Sequence, residues 1–264
     1  MSDHSASELG RKVFFLYPPS VIRDDLVELI ARNEYEVYLF DDHTHAASLL
    51  SSYPGVILFV NLDDGMREEA WDSYVRELIA SPPAEDVRIG VLTGHPTEEL
   101  GQKYLLDIGV QCGFVGLKLE VEQSARIILR TLAANEAKGK RKHVRAAGLQ
   151  MATFNVRQGA ADAATGTVLN ISAAGMACEF DAPVSFKVGH VFEDVQLILR
   201  GARTTARAHV IAMRPGQTPE AQPAYVFVFD HRGQGQRVAQ RIQTFVYQAL
   251  QINMQRQLQS LQES

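Results

Sequence analysis

The chain has 264 residues, 46% hydrophobic, 22% charged and 8% aromatic, which is too long for one small domain and carries enough apolar mass for two modest cores. A formal charge of −5 argues against a protein that grips nucleic acid over a broad basic face. Two cysteines, Cys112 and Cys178, exclude a disulfide framework and a four-cysteine zinc site, and no apolar run reaches the ~20 residues of a membrane helix.

Residues 1–10 form a polar, acidic tail without the basic-then-apolar order of a secretory signal, so a cytoplasmic protein is expected. Over 11–136, short apolar runs at Val13–Leu16, Val37–Phe40, Val56–Val60, Val87–Leu92 and Phe114–Leu117 predict strands. Amphipathic stretches at Ile22–Arg32, His45–Ser52, Glu68–Ile79, Glu98–Leu106 and Val121–Ala133 predict the helices between them; in the first, Val21, Leu26, Leu29 and Ile30 share one stripe. Five such alternations predict a doubly wound, five-stranded parallel sheet with helices on both faces, flavodoxin-like in class.

Residues 137–148 form a basic linker, Gly139 breaking the helical period, and 149–264 read differently. Leu149–Val156, Ala164–Asn170, Gly175–Phe180, Val191–Leu199, Ala206–Met213 and Ala224–Phe229 predict six short strands, separated by turn signals at Gln158-Gly159, Ala174-Gly175, Gly201 and Pro215-Gly216. Such strands predict a small β-barrel. A helix from Gln236 to Gln262 follows, with Val238, Ile242, Val246, Leu250, Met254 and Leu258 stepping by four and glutamine on most outward positions. Its start is expected to pack on the barrel and its far end to overhang, a candidate surface for a homodimer.

Asp41-Asp-His-Thr-His45 has metal-ligand chemistry, but no later segment supplies a matching set, and a solvated strand end with Asp42 capping the next helix explains it; no metal or cofactor is expected. Asp63 and Asp64 could hold a cation, but a turn closing on Gly65 accounts for them equally well. Both cysteines lack CxxC spacing and read as packed thiols.

The five-fold alternation over Lys12–Glu136 resembles a response-regulator receiver domain. That resemblance implies an acidic pair after the first strand, a phospho-accepting aspartate ending the third, a Thr or Ser ending the fourth and a Lys ending the fifth, with Mg²⁺ held by the acids. Here the first strand ends in Leu16-Tyr-Pro-Pro19 and the third in Val60-Asn61; Thr93 fits its place and Lys118 falls slightly late. A degenerate receiver is expected, kept for packing or protein contact, with Asp63 left open as a displaced acceptor.

Two motifs in the second half carry more. Arg141-Lys-His-Val-Arg145 is an RxxxR, and Asn170-Ile-Ser-Ala-Ala-Gly175 is an NxSxxG. RxxxR alone is weak, since Arg126–Arg130, Arg203–Arg207 and Arg237–Arg241 repeat it, and on a helix that spacing simply puts two cations on one solvated face. NxSxxG occurs once, against a chance expectation of about one chain in ten. Their order is informative: the arginines precede the first barrel strand and Asn170–Gly175 spans the next hairpin. Taken singly, linker arginines are usually solvated, and Asn-x-Ser in a turn usually bonds its own backbone.

RxxxR followed by [DN]xSxxG in a short β-barrel with a C-terminal helix resembles a PilZ domain, over about Lys138–Gln262, and Pro183–Gly189 leading into Val195–Leu199 also fits that family. Asn170 stands where Asp is equally accepted. The resemblance implies a bacterial, non-enzymatic receptor for cyclic di-GMP, with motility, adhesion or biofilm control as its output. The implied ligand set is Arg141, Arg145, Asn170, Ser172 and Gly175, with Lys140 flanking and His143 as a phosphate contact or spacer. The chemistry agrees: an arginine fork meets guanine O6 and N7 or phosphate oxygens with two parallel hydrogen bonds. Asn170 and Ser172 offer short polar groups to a guanine edge, and Gly175 is expected to free the backbone and leave room for the base. Ligand capture is expected to alter the interdomain arrangement and contact with a protein partner. The alternative is a phosphorelay protein whose barrel is an output module that binds no nucleotide. A nucleic-acid adaptor using the basic linker ranks last on charge, and no membrane insertion is expected.

Overall fold

The structure, a computed structural model, describes residues 10–263 apart from 21, 54, 118–119, 150–151, 158–162, 216–221 and 233–234. Lys118, Val21, the Gln158-Gly159 turn, Gly216 and nearly all of the polar tail therefore lie outside the described residues. Two compact units form: residues 1–142 with 250–264, and residues 143–249.

The first unit is a parallel sheet of β1 (Lys12–Leu16), β2 (Glu36–Phe40), β3 (Val56–Asn61), β4 (Arg88–Thr93) and β5 (Phe114–Gly116), in the order β2-β1-β3-β4-β5. That is the flavodoxin-like strand order of a doubly wound sheet. Val13–Leu16 and Val56–Val60 are fully buried, as strands covered on both faces must be. The helices are α1 (Val27–Arg32, entered through a π-helical turn Ile22–Leu26), α2 (Ala46–Leu50), α3 (Glu68–Ala80), α4 (Glu98–Gln102) and α5 (Val121–Ala134). Thr97 caps α4, its Oγ1 accepting from Leu100 N at 3.1 Å, and a π-helical stretch Lys103–Ile108 carries the chain on to Gly109 in the left-handed conformation.

The second unit is a closed six-stranded antiparallel barrel. β7 (Ala152–Arg157), β8 (Ala163–Ser172), β9 (Gly175–Phe180), β10 (Val191–Leu199), β11 (Ala202–Arg214) and β12 (Ala224–Phe229) run β8-β7-β10-β11-β12-β9, and β9 closes on β8. Alternation fills the interior: Phe154, Phe180, Phe192, Tyr225 and Phe227 are buried, with Phe154 edge-on to Phe180 at 5.0 Å and Phe192 stacked on Phe227 at 5.4 Å. β11 starts earlier than expected because Arg200 and Gly201, both at positive φ (51° and 83°), close a two-residue hairpin turn of the type that matches strand twist. A further short strand, β6 (Ala146–Ala147), pairs with β8.

The last helix, α6 (Gly235–Gln262), corrects one expectation. Ile242, Phe245 and Val246 are buried in the barrel unit, but Met254 is fully buried in the core of the first unit, with Leu250, Leu258 and Leu261 packed against that core. The far stripe thus covers the protein's own sheet rather than overhanging it, and among the described residues of the helix no large apolar side chain is left exposed. Its glutamines have specific partners: the Gln251 amide accepts from Leu39 N at 3.0 Å and donates to Leu39 O at 2.5 Å, and Gln257 and Gln262 bond Tyr53 and Asp42. Gln251 satisfies backbone groups on edge strand β2, as a neighbouring strand would.

Candidate functional site

The second unit brings its motif residues together through strand register. β6 runs antiparallel to β8, with Ala146 opposite Ile171 and Ala147 opposite Asn170. Directly opposed residues share a face, and faces alternate along each strand. Ala146 and Ile171 are both fully buried, so they face the interior; Ala147 is exposed and Asn170 half-buried, so they face outward. Arg145 immediately precedes β6, and the same register carried one step further would set it opposite Ser172 and diagonal to Asn170, a separation that long side chains span.

A bulge makes this possible. The β8–β9 register shifts between Val168 and Asn170. Val168 points inward, and strict alternation would send Asn170 inward after it. The extra residue, Leu169, reverses the parity, so Ile171 enters the core and Asn170 turns out.

Arg141 and Arg145 are exposed, and among the described residues neither guanidinium makes a hydrogen bond or ion pair. The Asn170 amide is likewise unengaged among them. Ser172 is 3% exposed, and its Oγ donates a long 3.4 Å bond to Gly175 O. His143 is half-buried and has contacts of its own; Lys140 is exposed. The linker's first residues are held on the first unit, where Arg11 N donates to Ala137 O at 2.9 Å and Lys138 Nζ lies 4.9 Å from the Tyr35 ring centre. Lys140 and Arg141 belong by compactness to the first unit, and Arg145 to the second.

Gly175 has a different cause from the one expected. Its φ is not positive, and a Cβ there would lie 2.1 Å from Phe227 O on β12. Glycine is required by close approach of two strands, not by an unusual conformation. The turn is Ala173-Ala174, with Ser172 opposite Gly175.

The first unit offers a poorer site. At the crevice beyond β1 and β3, where doubly wound sheets take ligands, the Tyr17 ring packs on Trp71 and its hydroxyl bonds His43 Nδ1 at 2.9 Å. Gly65 (φ 81°) gives room to that ring, which a Cβ would meet at 2.5 Å. Asn61, where an acceptor aspartate is expected, is buried and donates to Tyr17 O at 2.8 Å. Both Asp63 oxygens are engaged, one by Thr93 Oγ1 and one by Gly94 N, each at 2.6 Å. That carboxylate braces the end of β4 rather than standing open as a nucleophile.

Asp42 does not occupy the cap position of α2, which is His45; it accepts from Thr44 N and His45 N instead, at 3.0 and 3.2 Å. Burial works to raise its pKa, but hydrogen bonds from Thr44, Gln262 and His45 outweigh that and hold the carboxyl well below the usual range. Among the described residues no three His, Cys, Asp or Glu side chains gather as metal ligands. Burial pushes the Cys112 thiol up to about 12 and raises Cys178 as well, as befits packed rather than reactive thiols. No helix among the described residues is long and apolar enough to cross a membrane.

The first unit has the strand order of a doubly wound parallel sheet and the second is a closed six-stranded antiparallel barrel. No family model and no curated protein matches the sequence. Solved structures similar to parts of the chain include the PilZ domain of YcgR from Escherichia coli with c-di-GMP (13% identity, 47% of this chain and 98% of that one, TM-score 0.37). Another is the Bacillus subtilis inhibitor of motility MotI/DgrA (16% identity, 46% and 53%, TM-score 0.35), so the match spans about half of that protein. A third is the signal receiver domain of an HD domain-containing protein from Pseudomonas fluorescens Pf-5 (15% identity, 49% and 99%, TM-score 0.38).

Proposed function

We propose that the protein is a receptor for cyclic di-GMP and no enzyme, with the dinucleotide held against the outer face of the barrel by Arg141, Arg145, Asn170 and Ser172. The observation that carries this reading is the β6–β8 register, which pairs Ala147 with Asn170 and so supports bringing Arg145, two residues before Ala147, to the same face although 25 positions separate it from Asn170 in sequence. Uncommitted guanidinium groups suit a ligand with two phosphates and two guanine edges, each able to take a bidentate fork. Asn170 then reads a base edge, while Lys140 and His143 add positive charge or polar contact nearby. These groups are asked only to bind, with no nucleophile or general base among their roles, so the ligand is bound and released unchanged.

The arginines lie on an irregular segment, and closing it over the ligand is the step that alters the arrangement of the units and exposes or hides a surface for a protein partner. Motility, adhesion or biofilm control is the output we assign. Calorimetry with cyclic di-GMP tests the binding step on the wild type, Arg145→Ala and Asn170→Ala. Micromolar or tighter binding is expected, weakened by about tenfold or more in each variant. Equal binding by all three proteins would falsify the site.

A further inference from the structure

Six large apolar side chains stand exposed among the described residues, and four of them, Val188, Val191, Ile211 and Met213, belong to β10, β11 and the turn before β10. Register puts Val191 and Ile211 on one outer face of the barrel. Phe192, Ala208, Val210 and Phe227 are buried inside, so their strand neighbours alternate outward. Val191 lies opposite His209, and His209 opposite Val228. The β11–β12 ladder shifts between Val210 and Ala212, which makes Ile211, 47% exposed, the extra residue of a bulge and sets Ala212 opposite Val226. Gly189 N donates to Val210 O at 2.7 Å and Val210 N to His190 O at 2.9 Å, bringing the turn that holds Val188 to the edge of the same face. Met213, opposite the buried Tyr225, belongs to the barrel rim instead.

The charges on this face are sorted by end. Glu193 and Asp194 stand in a β10 bulge between Phe192 and Val195, where both oppose Arg207. Arg207 is taken by Glu193 at 2.8 Å and Asp230 at 2.7 Å. Asp194 is exposed and has no cationic partner among the described residues. At the opposite end Arg214, opposite Ala224 and two positions beyond the outward Ala212, is exposed, as is Lys187. Neither of those cations has a carboxylate among the described residues. From Arg207 to Arg214, about 23 Å of strand, the face therefore runs acidic, apolar, basic.

We propose that a second copy of this chain docks here, about a two-fold axis through the region of Val191, His209 and Ile211. A two-fold that sets the strands of the two copies antiparallel brings each Asp194 to the other copy's Arg214 and Lys187, and lays the apolar middle on itself. This self-complementarity is what selects a copy over an apolar partner in general, which would require no ordering of charge. Three strands by 23 Å cover about 300 Å², under the about 800 Å² per partner of a standard interface, so the dimer is weak and concentration-dependent. None of these residues belongs to the dinucleotide motif, and the inference stands whether or not that reading holds.

Sedimentation velocity on the full-length protein, from about 2 to about 500 μM, reads the association. A monomer–dimer equilibrium with a Kd below about 200 μM is expected. Ile211→Glu, which buries a charge in the apolar middle of both copies, should weaken it by about tenfold or more. Asp194→Lys and Arg214→Glu should each weaken it by about fivefold, since symmetry makes every reversal act twice. The double variant Asp194→Lys/Arg214→Glu exchanges the two ends and should return to within about twofold of the wild type. Leu106→Glu, on the most exposed apolar side chain of the first unit, should change nothing, and circular dichroism should be the same for all five variants. A protein that stays monomeric up to about 500 μM, association that Ile211→Glu leaves intact or Leu106→Glu abolishes, or a double reversal no better than either single one overturns the proposal.

Discussion

Asn170 faces outward because Leu169 is one residue more than the β8–β9 ladder accommodates. Nothing in the local sequence marks that bulge, since Val168, Leu169 and Ile171 would suit a strand in either parity. The motif itself was readable from residue types and order; the reason its polar groups reach the surface was not. Gly175 shows the reverse gap. Its place in the motif invited a backbone or ligand explanation, while the atoms show β12 pressing against it. Gly175→Ala should therefore lower stability by about 1–3 kcal/mol, read as a fall in the urea midpoint without ligand present, because the obstacle is a strand carbonyl that cannot swing away. A purely ligand-facing glycine would leave that midpoint unmoved.

Among the elements, α6 differs most from its sequence-based description. Its period and length were plain from Val238 to Leu258, but periodicity names a buried stripe without naming what buries it. The parallel sheet was easier, since β1 and β3 are apolar runs that only a sheet covered on both faces explains. The short β6 has no signature in the sequence, because two alanines carry no alternation. Asp42 links α6 to the strand end after β2 through Gln262. Its carboxyl is held below the ordinary value, so the stabilisation is complete above the usual carboxylate range and disappears as pH falls toward the depressed value. Asp42→Asn cannot titrate. The variant should be less stable at neutral pH, and its stability should fall less steeply than the wild type's below about pH 4, in urea melts across pH.

At the scale of the molecule, the chain passes between its two units twice, at Lys142–His143 and within α6 at Ala249–Leu250. The basic linker was a boundary visible in composition; the second crossing was hidden inside an unbroken helix. Shortening the chain at Ala249 should uncover Met254's site in the first core and the edge of β2. Hydrogen exchange is then expected to quicken at the β2 amides while the inward strands of the barrel keep their protection, and unchanged β2 protection would argue that the helix end is dispensable. During synthesis the same arrangement imposes an order. The sheet emerges first but keeps an uncovered flank while the whole barrel is made, and only when residues 250–262 leave the ribosome can the earliest part of the protein finish folding.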